Sequence, residues 1–260
     1  MVMGRSVTIA AIVPAYDAAK TLGAVVTETV SLFGSLGTVY VVDDGSSDGT
    51  GEVARKAGAV VLRHPTNRGK GCALRTGLAQ AAADGHSAAV TLDADGQHPP
   101  AEALRLATHR CDPRALVLGI RDLKGANAPR PNRISNAISN GFLSMFSRKL
   151  LADTQCGLRR YPLPQTLEIG GRDDGYAFEA EIILLAIASG LPIVEVPTHV
   201  LYPEDRTTHF DAVRDPMRVI RRVVRTLVDT RWITRPPSTA TSFPRPVRTS
   251  EPASLQPDSF

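Results

Sequence analysis

Ala88-Ala89-Val90-Thr91-Leu92-Asp93-Ala94-Asp95-Gly96-Gln97-His98-Pro99-Pro100 decides the fold. The apolar run 88–92 reads as a buried strand, and Gly96 with the Pro pair turns the chain into a loop at its end. Residues two apart in extended chain point the same way, so Asp93 and Asp95 can converge on one point. Convergent carboxylates repel unless a cation or protons sit between them. Hard divalent ions take oxygen ligands, and the Gln97 amide oxygen offers a third. The pair therefore reads as a metal site holding a diphosphate. The plain alternative is two solvated loop aspartates ahead of a helix.

Upstream, Val7 to Val13 is a β-branched, apolar strand closed by Pro14. Residues 18–36 carry helical spacing at Leu22, Val25, Val26, Thr29, Val30 and Phe33, and Gly37 stops them. Val39 to Val42 is a second strand, running into Asp43-Asp44-Gly45-Ser46-Ser47-Asp48-Gly49-Thr50. A short helix leads to a strand at 59–62, and Asn67-Arg68-Gly69-Lys70-Gly71 opens a helix over 72–83. Strands and helices alternating in this rhythm imply a parallel sheet covered on both faces. Ligands collect at the carboxyl ends of such strands, where Pro14–Tyr16, Asp43–Asp44 and Asp93–Asp95 all fall.

Downstream the rhythm continues with a helix to Arg110 and a strand 115–120 ending at Arg121. A helix over 133–150, a loop and strand over 153–162, an apolar helix 176–188 and a strand 193–200 follow. Beyond a polar loop at 203–210, residues 216–235 place Val219, Ile220, Val223, Val224, Leu227 and Val228 on one stripe. Arg218, Arg221, Arg222, Arg225, Arg231 and Arg235 give that stretch a strongly basic side. The Pro- and Ser-rich stretch 236–260 has no periodicity and is expected to be disordered.

The 260 residues suit one large domain with appendages, and the net charge of +4 is modest. Cys72, Cys111 and Cys156 are too scattered for a disulfide framework or a zinc site, and read as reduced thiols in a cytosolic protein. The N-terminal residues show no signal-peptide pattern, and no apolar run reaches the roughly 18 residues a membrane span needs. A cytoplasmic protein, free or on a membrane surface, is expected.

The acidic turn 43–50 can accept hydrogen bonds from a nucleobase or ribose. It also suits a helix cap at Ser47 or Asp48, which leaves Asp43 free for a ligand, and it fails the EF-hand pattern. Arg68-Gly69-Lys70-Gly71 at a helix start could steer a phosphate with backbone N–H groups and positive charge. It lacks P-loop spacing, and no G-x-G-x-x-G fingerprint is present.

Together Val13-Pro14-Ala15-Tyr16, the turn 42–50, Asn67–Gly71 and Leu92–Pro100 resemble family 2 glycosyltransferases of the GT-A fold. The likeness is to their dolichyl- and polyprenyl-phosphate sugar synthase branch. Gly119-Ile120-Arg121, Arg133 to Asn140, Asp153 to Arg159 and Gly175 to Glu181 carry it on, so it covers roughly residues 7–220. It implies a three-layer α/β/α sandwich with a mostly parallel sheet and a catalytic domain over 1–215; the basic helix read at 216–235 and the tail at 236–260, which lies outside the resemblance, follow that domain. It also implies that Pro14, Tyr16 and Asp43 or Asp44 hold the nucleotide of an NDP-sugar. Asp93, Asp95 and Gln97 would ligate Mg²⁺ or Mn²⁺ on its diphosphate. Arg121 and Arg133 would grip an acceptor phosphate, for which guanidinium forks are suited. Arg206 would fold over the donor. Family members often read Pro-x-Tyr-Asn-Glu at the first strand end, whereas this chain has Asp17-Ala18 after Tyr16 and lacks that acidic contact.

A phosphate acceptor is ionised at neutral pH and needs no protein base. Inverting displacement then requires the nucleophile held in line and the departing diphosphate neutralised, by the metal with Arg206 or Lys70. A hydroxyl acceptor would call for a base, with Glu179, Asp153, His98 and His209 as candidates. The expected activity is transfer of a hexose, from a GDP-mannose or UDP-glucose type of donor, to a polyprenyl or dolichyl phosphate. No nucleic-acid partner is expected. A hydroxyl-directed family 2 enzyme and a non-catalytic sugar-nucleotide binder are the rivals. The helix at 216–235 could lie on an anionic leaflet or pack on the sheet.

Overall fold

The computed structural model describes residues 8–126, 128–147 and 149–201, together with Arg221 and Val224. The loop 203–210 with Arg206 and His209, the helix expected at 216–235 apart from those two residues, and the tail 236–260 lie outside them.

Alternation of apolar residues builds the central strand. In β1 (Ile9–Ala15), Ala10 and Ile12 face one core while Ile9, Ala11, Val13 and Ala15 face another. Both faces are buried, so nearly every position is apolar. One core packs against α1 (Ala19–Phe33), α2 (Thr50–Lys56) and α4 (Pro100–Ala107), through Leu22, Val25, Ala54, Ala103 and Leu106. The other packs against α3 (Lys70–Ala83) and α7 (Ala177–Ala188), through Leu74, Leu78, Phe178, Ile182 and Ile183. α7 is apolar on almost every side, as a helix enclosed by protein must be. These are the three layers expected.

The remaining strands are β2 (Val39–Asp43), β3 (Val60–Arg63), β4 (Ala88–Thr91), β5 (Leu116–Arg121), β6 (Arg159–Pro162) and β7 (Ile193–Thr198). They form one seven-stranded sheet in the order β3-β2-β1-β4-β6-β5-β7. All neighbours run parallel except β6, which is antiparallel to both β4 and β5. The strictly alternating rhythm of the sequence did not anticipate that reversal, nor the short helix α6 (Leu163–Ile169) that begins directly after Pro162. The chain runs outward from β1 to β3, then returns to place β4 on the other side of β1. Such a reversal opens a crevice at the carboxyl ends of β1 and β4.

The helix α5 (Arg130–Ser147) buries Leu143 in the core but otherwise carries buried polar and exposed apolar side chains. Ser135, Asn136 and Ser139 are buried, while Ile134, Ile138 and Met145 are 61%, 51% and 63% exposed. Ser135 and Ser139 are used locally, whereas the buried Asn136 Oδ1 has no hydrogen-bond partner among the described residues. Ser139 hydrogen-bonds the Thr154 hydroxyl at 2.9 Å, and Gln155 Nε2 donates to Ser135 Oγ at 3.1 Å. Asn140 extends the same face, accepting the Thr154 backbone N–H at 2.8 Å.

Candidate active site

The crevice is assembled from loops that are stitched to one another. Just past β1, Asp17 takes a left-handed φ of 46°, which Asp tolerates better than most residues. Its backbone N–H donates to Ser46 Oγ at 3.0 Å, and its carboxylate accepts from the Ser47 N–H at 2.9 Å. Tyr16, one residue earlier, is 39% exposed at the rim, and Pro14 lies within β1 opposite Val42. Thr21 donates to the Ala94 carbonyl at 2.8 Å, tying the start of α1 to the loop after β4.

The two carboxylates at the end of β2 separate in use. Asp44 accepts the backbone N–H groups of Arg68 and Gly69 at 3.0 and 2.7 Å, and His64 Nδ1 lies 2.6 Å from it. Asp43 accepts the Ser46 N–H at 2.9 Å. Its Oδ2 is buried, lies 3.1 Å from Arg63 Nη1 as an ion pair, and makes no hydrogen bond. Asp43 is thus the member of the pair with an oxygen left for a donor group.

Asp44 and a second contact also revise the expected role of the turn at 67–71. The Cys72 N–H donates to the Asp174 carbonyl at 3.2 Å, and the Arg68 and Gly69 N–H groups are held by Asp44. Those backbone groups are therefore committed within the protein. The Lys70 side chain, at the first position of α3, projects from the same turn toward Asp93 and Glu179. Gly69 is required here: its φ is 96°, and a side chain would strike the Asp174 carbonyl.

Lys70 Nζ stands 2.7 Å from Asp93 Oδ1 and 3.2 Å from Glu179 Oε1. Burial pulls the ammonium down, but the two carboxylates overcome this and raise its pKa. Asp93 is likewise pushed up by burial, yet Lys70 holds it below the usual carboxylate range. Among the described residues Asp95 has no such partner. Burial, and then the charge of Asp93, push it up to about 6. Its Oδ1 accepts the Gln97 N–H at 2.9 Å, and the Gln97 carbonyl accepts the N–H of Leu201 at 2.8 Å. Among the described residues, no three His, Cys, Asp or Glu side chains converge to hold a metal ion. The expected donor set contains only two carboxylates, with an amide as its third member.

At the end of β5, Arg121 forms a bidentate pair with the buried Asp153, through Nε at 2.7 Å and Nη2 at 3.0 Å. Arg133 is half-buried on the first turn of α5. His98 is buried, with Nε2 3.7 Å from the Cys156 thiol, and desolvation lowers its pKa to about 4. Burial, then Asp153, raise Cys156 to about 12, so both groups are neutral. Arg159, fully buried, donates to the carbonyls of Cys156, Thr154 and Glu179 at 2.8, 2.8 and 2.5 Å. It pins the 154–158 loop and the start of α7 beside the acidic residues. Gly157 closes the site from behind: an added Cβ would strike Asp93 Oδ2 and stand 2.9 Å from its Cγ.

The family model for glycosyl transferase family 2 matches residues 10–161, more than half of the chain and every strand that meets at the crevice. The chain belongs to glycosyl transferase family 2. Two relatives of this glycosyltransferase carry informative names. The UDP-N-acetylglucosamine–dolichyl-phosphate N-acetylglucosaminyltransferase of Methanococcus voltae is 27% identical over 74% of this chain and 85% of its own. The undecaprenyl-phosphate mannosyltransferase of Micrococcus luteus is 30% identical over 61% of this chain and 70% of its own. Among solved structures, the glucosyl-3-phosphoglycerate synthase of Mycobacterium tuberculosis superposes with a TM-score of 0.66 at 22% identity, covering 86% of this chain and 80% of that one. It was crystallised with Mn²⁺, UDP and glucosyl-3-phosphoglycerate, and it supports the GT-A fold for the present glycosyltransferase. Described helices include none long and apolar enough to cross a membrane.

Proposed function

We propose that this enzyme transfers a hexose from an NDP-sugar to the phosphate of a polyprenyl lipid, with inversion at the anomeric carbon. The observation that carries the acceptor is the exposed apolar face of α5. By helical spacing Ile134, Ile138, Gly141 and Met145 share one face. The three apolar side chains are exposed, and no described residue stands within 4 Å of where a Gly141 Cβ would be. Arg133 sits on the same helix, so a cationic group stands near an apolar face, the combination a lipid phosphate requires. The relatives named for dolichyl- and undecaprenyl-phosphate substrates support the same acceptor class.

The donor set fits a hard divalent ion: burial, and then the charge of Asp93, raise the pKa of Asp95, and a cation between the two carboxylates would offset both. Asp93, Asp95 and Gln97 would hold Mg²⁺ or Mn²⁺, which when bound neutralises charge on the diphosphate. Lys70 adds positive charge on the same side of the site. Pro14, Tyr16 and Asp43 would form the nucleotide wall, with Asp43 Oδ2, now ion-paired to Arg63, as the acceptor for base or ribose. Asp153 holds the Arg121 guanidinium in a fixed plane for the acceptor phosphate, and Arg133 supplies the second cation. That phosphate is already ionised, so the reaction needs no protein base, and the buried, neutral His98 is left to packing. Arg206, outside the described residues, is assigned to the leaving diphosphate.

The test is a panel of NDP-sugars with Mg²⁺ or Mn²⁺ and a short prenyl phosphate, read by mass spectrometry. Transfer to the prenyl phosphate that is abolished in Asp95→Asn supports the assignment. Turnover undiminished by that substitution, or transfer to hydroxyl acceptors alone, refutes it.

A further inference from the structure

Lys70 is held in a way that a diphosphate ligand alone does not explain. Its backbone is fixed by the Asp44 contacts to Arg68 and Gly69, and by the 173–175 loop pressed against Gly69 and Gly71. Only its side chain is at liberty to move. That side chain is 16% exposed and joins three elements: α3, the end of β4 through Asp93, and α7 through Glu179. Glu179 is 7% exposed, and its own helix start is anchored by Arg159 on the Glu179 carbonyl. The Tyr176 ring lies 5.7 Å from the ammonium and adds a further cation-stabilising face.

The ammonium therefore stands against one of the two carboxylates assigned to the divalent ion. A cation approaching Asp93 must compete with a positive charge 2.7 Å away that is already the counter-ion there. An incoming diphosphate changes the balance, because it offers the ammonium a second set of anionic oxygens. Glu179 keeps the side chain in place for that exchange, since it holds Lys70 without being one of the assigned metal ligands. We propose that Lys70 is a displaceable counter-ion, tethered by the positioning residue Glu179, that makes divalent-cation binding and diphosphate binding depend on each other. Metal alone binds weakly, diphosphate strengthens it, and by linkage metal strengthens diphosphate by the same factor. This rests on the assignment of Asp93 and Asp95 as metal ligands made above.

Calorimetry on the full chain tests it, with Mn²⁺ alone and Mn²⁺ in the presence of inorganic pyrophosphate. Lys70→Met should bind Mn²⁺ alone about tenfold more tightly than wild type, and its enhancement by pyrophosphate should fall by a comparable factor. Glu179→Gln should shift Mn²⁺ binding the other way, because the ammonium is then left to Asp93 alone. General damage to the site would weaken binding in both variants and would not produce opposite signs. Circular dichroism confirms folding, and Lys70→Gln, which also removes the charge, takes the place of Lys70→Met under the same criteria if that variant does not fold. Mn²⁺ affinity unchanged or lower in folded Lys70→Met, or raised in Glu179→Gln, overturns the proposal while leaving the metal site intact. Absence of Mn²⁺ binding that depends on Asp95, with or without pyrophosphate, overturns both.

Discussion

Gly157→Ala perturbs the acidic centre without removing any functional group. Gly157 precedes β6, and its carbonyl accepts the Thr91 hydroxyl at 2.7 Å, so its backbone cannot easily retreat. An added methyl would stand 2.9 Å from Asp93 Cγ, where ordinary contact begins at 3.4 Å, so the carboxylate must move by at least 0.5 Å. It would also strike Oδ2 directly, which pushes the group off its rotamer and away from Lys70. Off-rotamer strain and overpacking together place the stability cost at roughly 1–3 kcal/mol. Displacements of about 1 Å at a reacting centre cost on the order of 10²-fold in rate. With saturating Mn²⁺ and donor, kcat/KM for transfer should therefore fall about 100-fold, while a thermal melt still shows one cooperative transition. A folded Gly157→Ala enzyme with wild-type turnover and Mn²⁺ affinity would show that the position of Asp93 does not matter, and the reasoning would fail.

Three further outcomes are expected. In EDTA, Asp95→Asn should be more stable than wild type at pH 7, by up to roughly 3 kcal/mol for a carboxyl moved from 3.8 to about 6, and by less because Asp93 shares the effect. The folded-state pKa is raised, so the penalty is fully present above pH 6 and vanishes below about pH 4; His98 contributes to both proteins and cancels. Paired melts from pH 7 to pH 4 should converge, and a gap that stays constant over that range contradicts the assignment. Ile138→Asp, at an exposed position on α5, should change stability by no more than about 0.5 kcal/mol. It should depress transfer to long-chain prenyl phosphate in vesicles but not to a short soluble analogue, and equal loss on both acceptors would remove α5 from acceptor binding. Gly141→Ala places a methyl in open space within a helix and should raise stability by about 0.5–1 kcal/mol in denaturant titration, with a neutral or negative change opposing the described surroundings.

Features carried by local pattern were legible in the sequence. The apolar runs that became β1, β2 and β4, and the acidic residues at their carboxyl ends, follow from burial and from the period of extended chain. The helix over 72–83 extends back to Lys70, and that over 133–150 is shifted to Arg130–Ser147, because helix ends depend on caps and packing more than on periodicity. Contacts between distant segments were not legible. Nothing near Lys70 announces Glu179, which arrives from α7 more than a hundred residues later. The same holds for Gly157 behind Asp93, and for Asp153, which local pattern offered as a base and the fold makes the partner of Arg121. Asp43 and Asp44 are equivalent as letters, and only the folded turn shows that Asp44 anchors backbone. Strand direction escaped for a related reason: nothing local to Arg159-Arg160-Tyr161-Pro162 tells which way β6 runs, and its reversal is set by the path of the loop leading into it.

The most direct test of the central claim is the bond the enzyme makes. With ¹³C-labelled donor sugar and a short prenyl phosphate, NMR of the purified product should show the anomeric carbon coupled to phosphorus, in the configuration opposite to that of the donor. An anomeric carbon without phosphorus coupling, joined instead through an acid-stable glycosidic oxygen, would contradict the account.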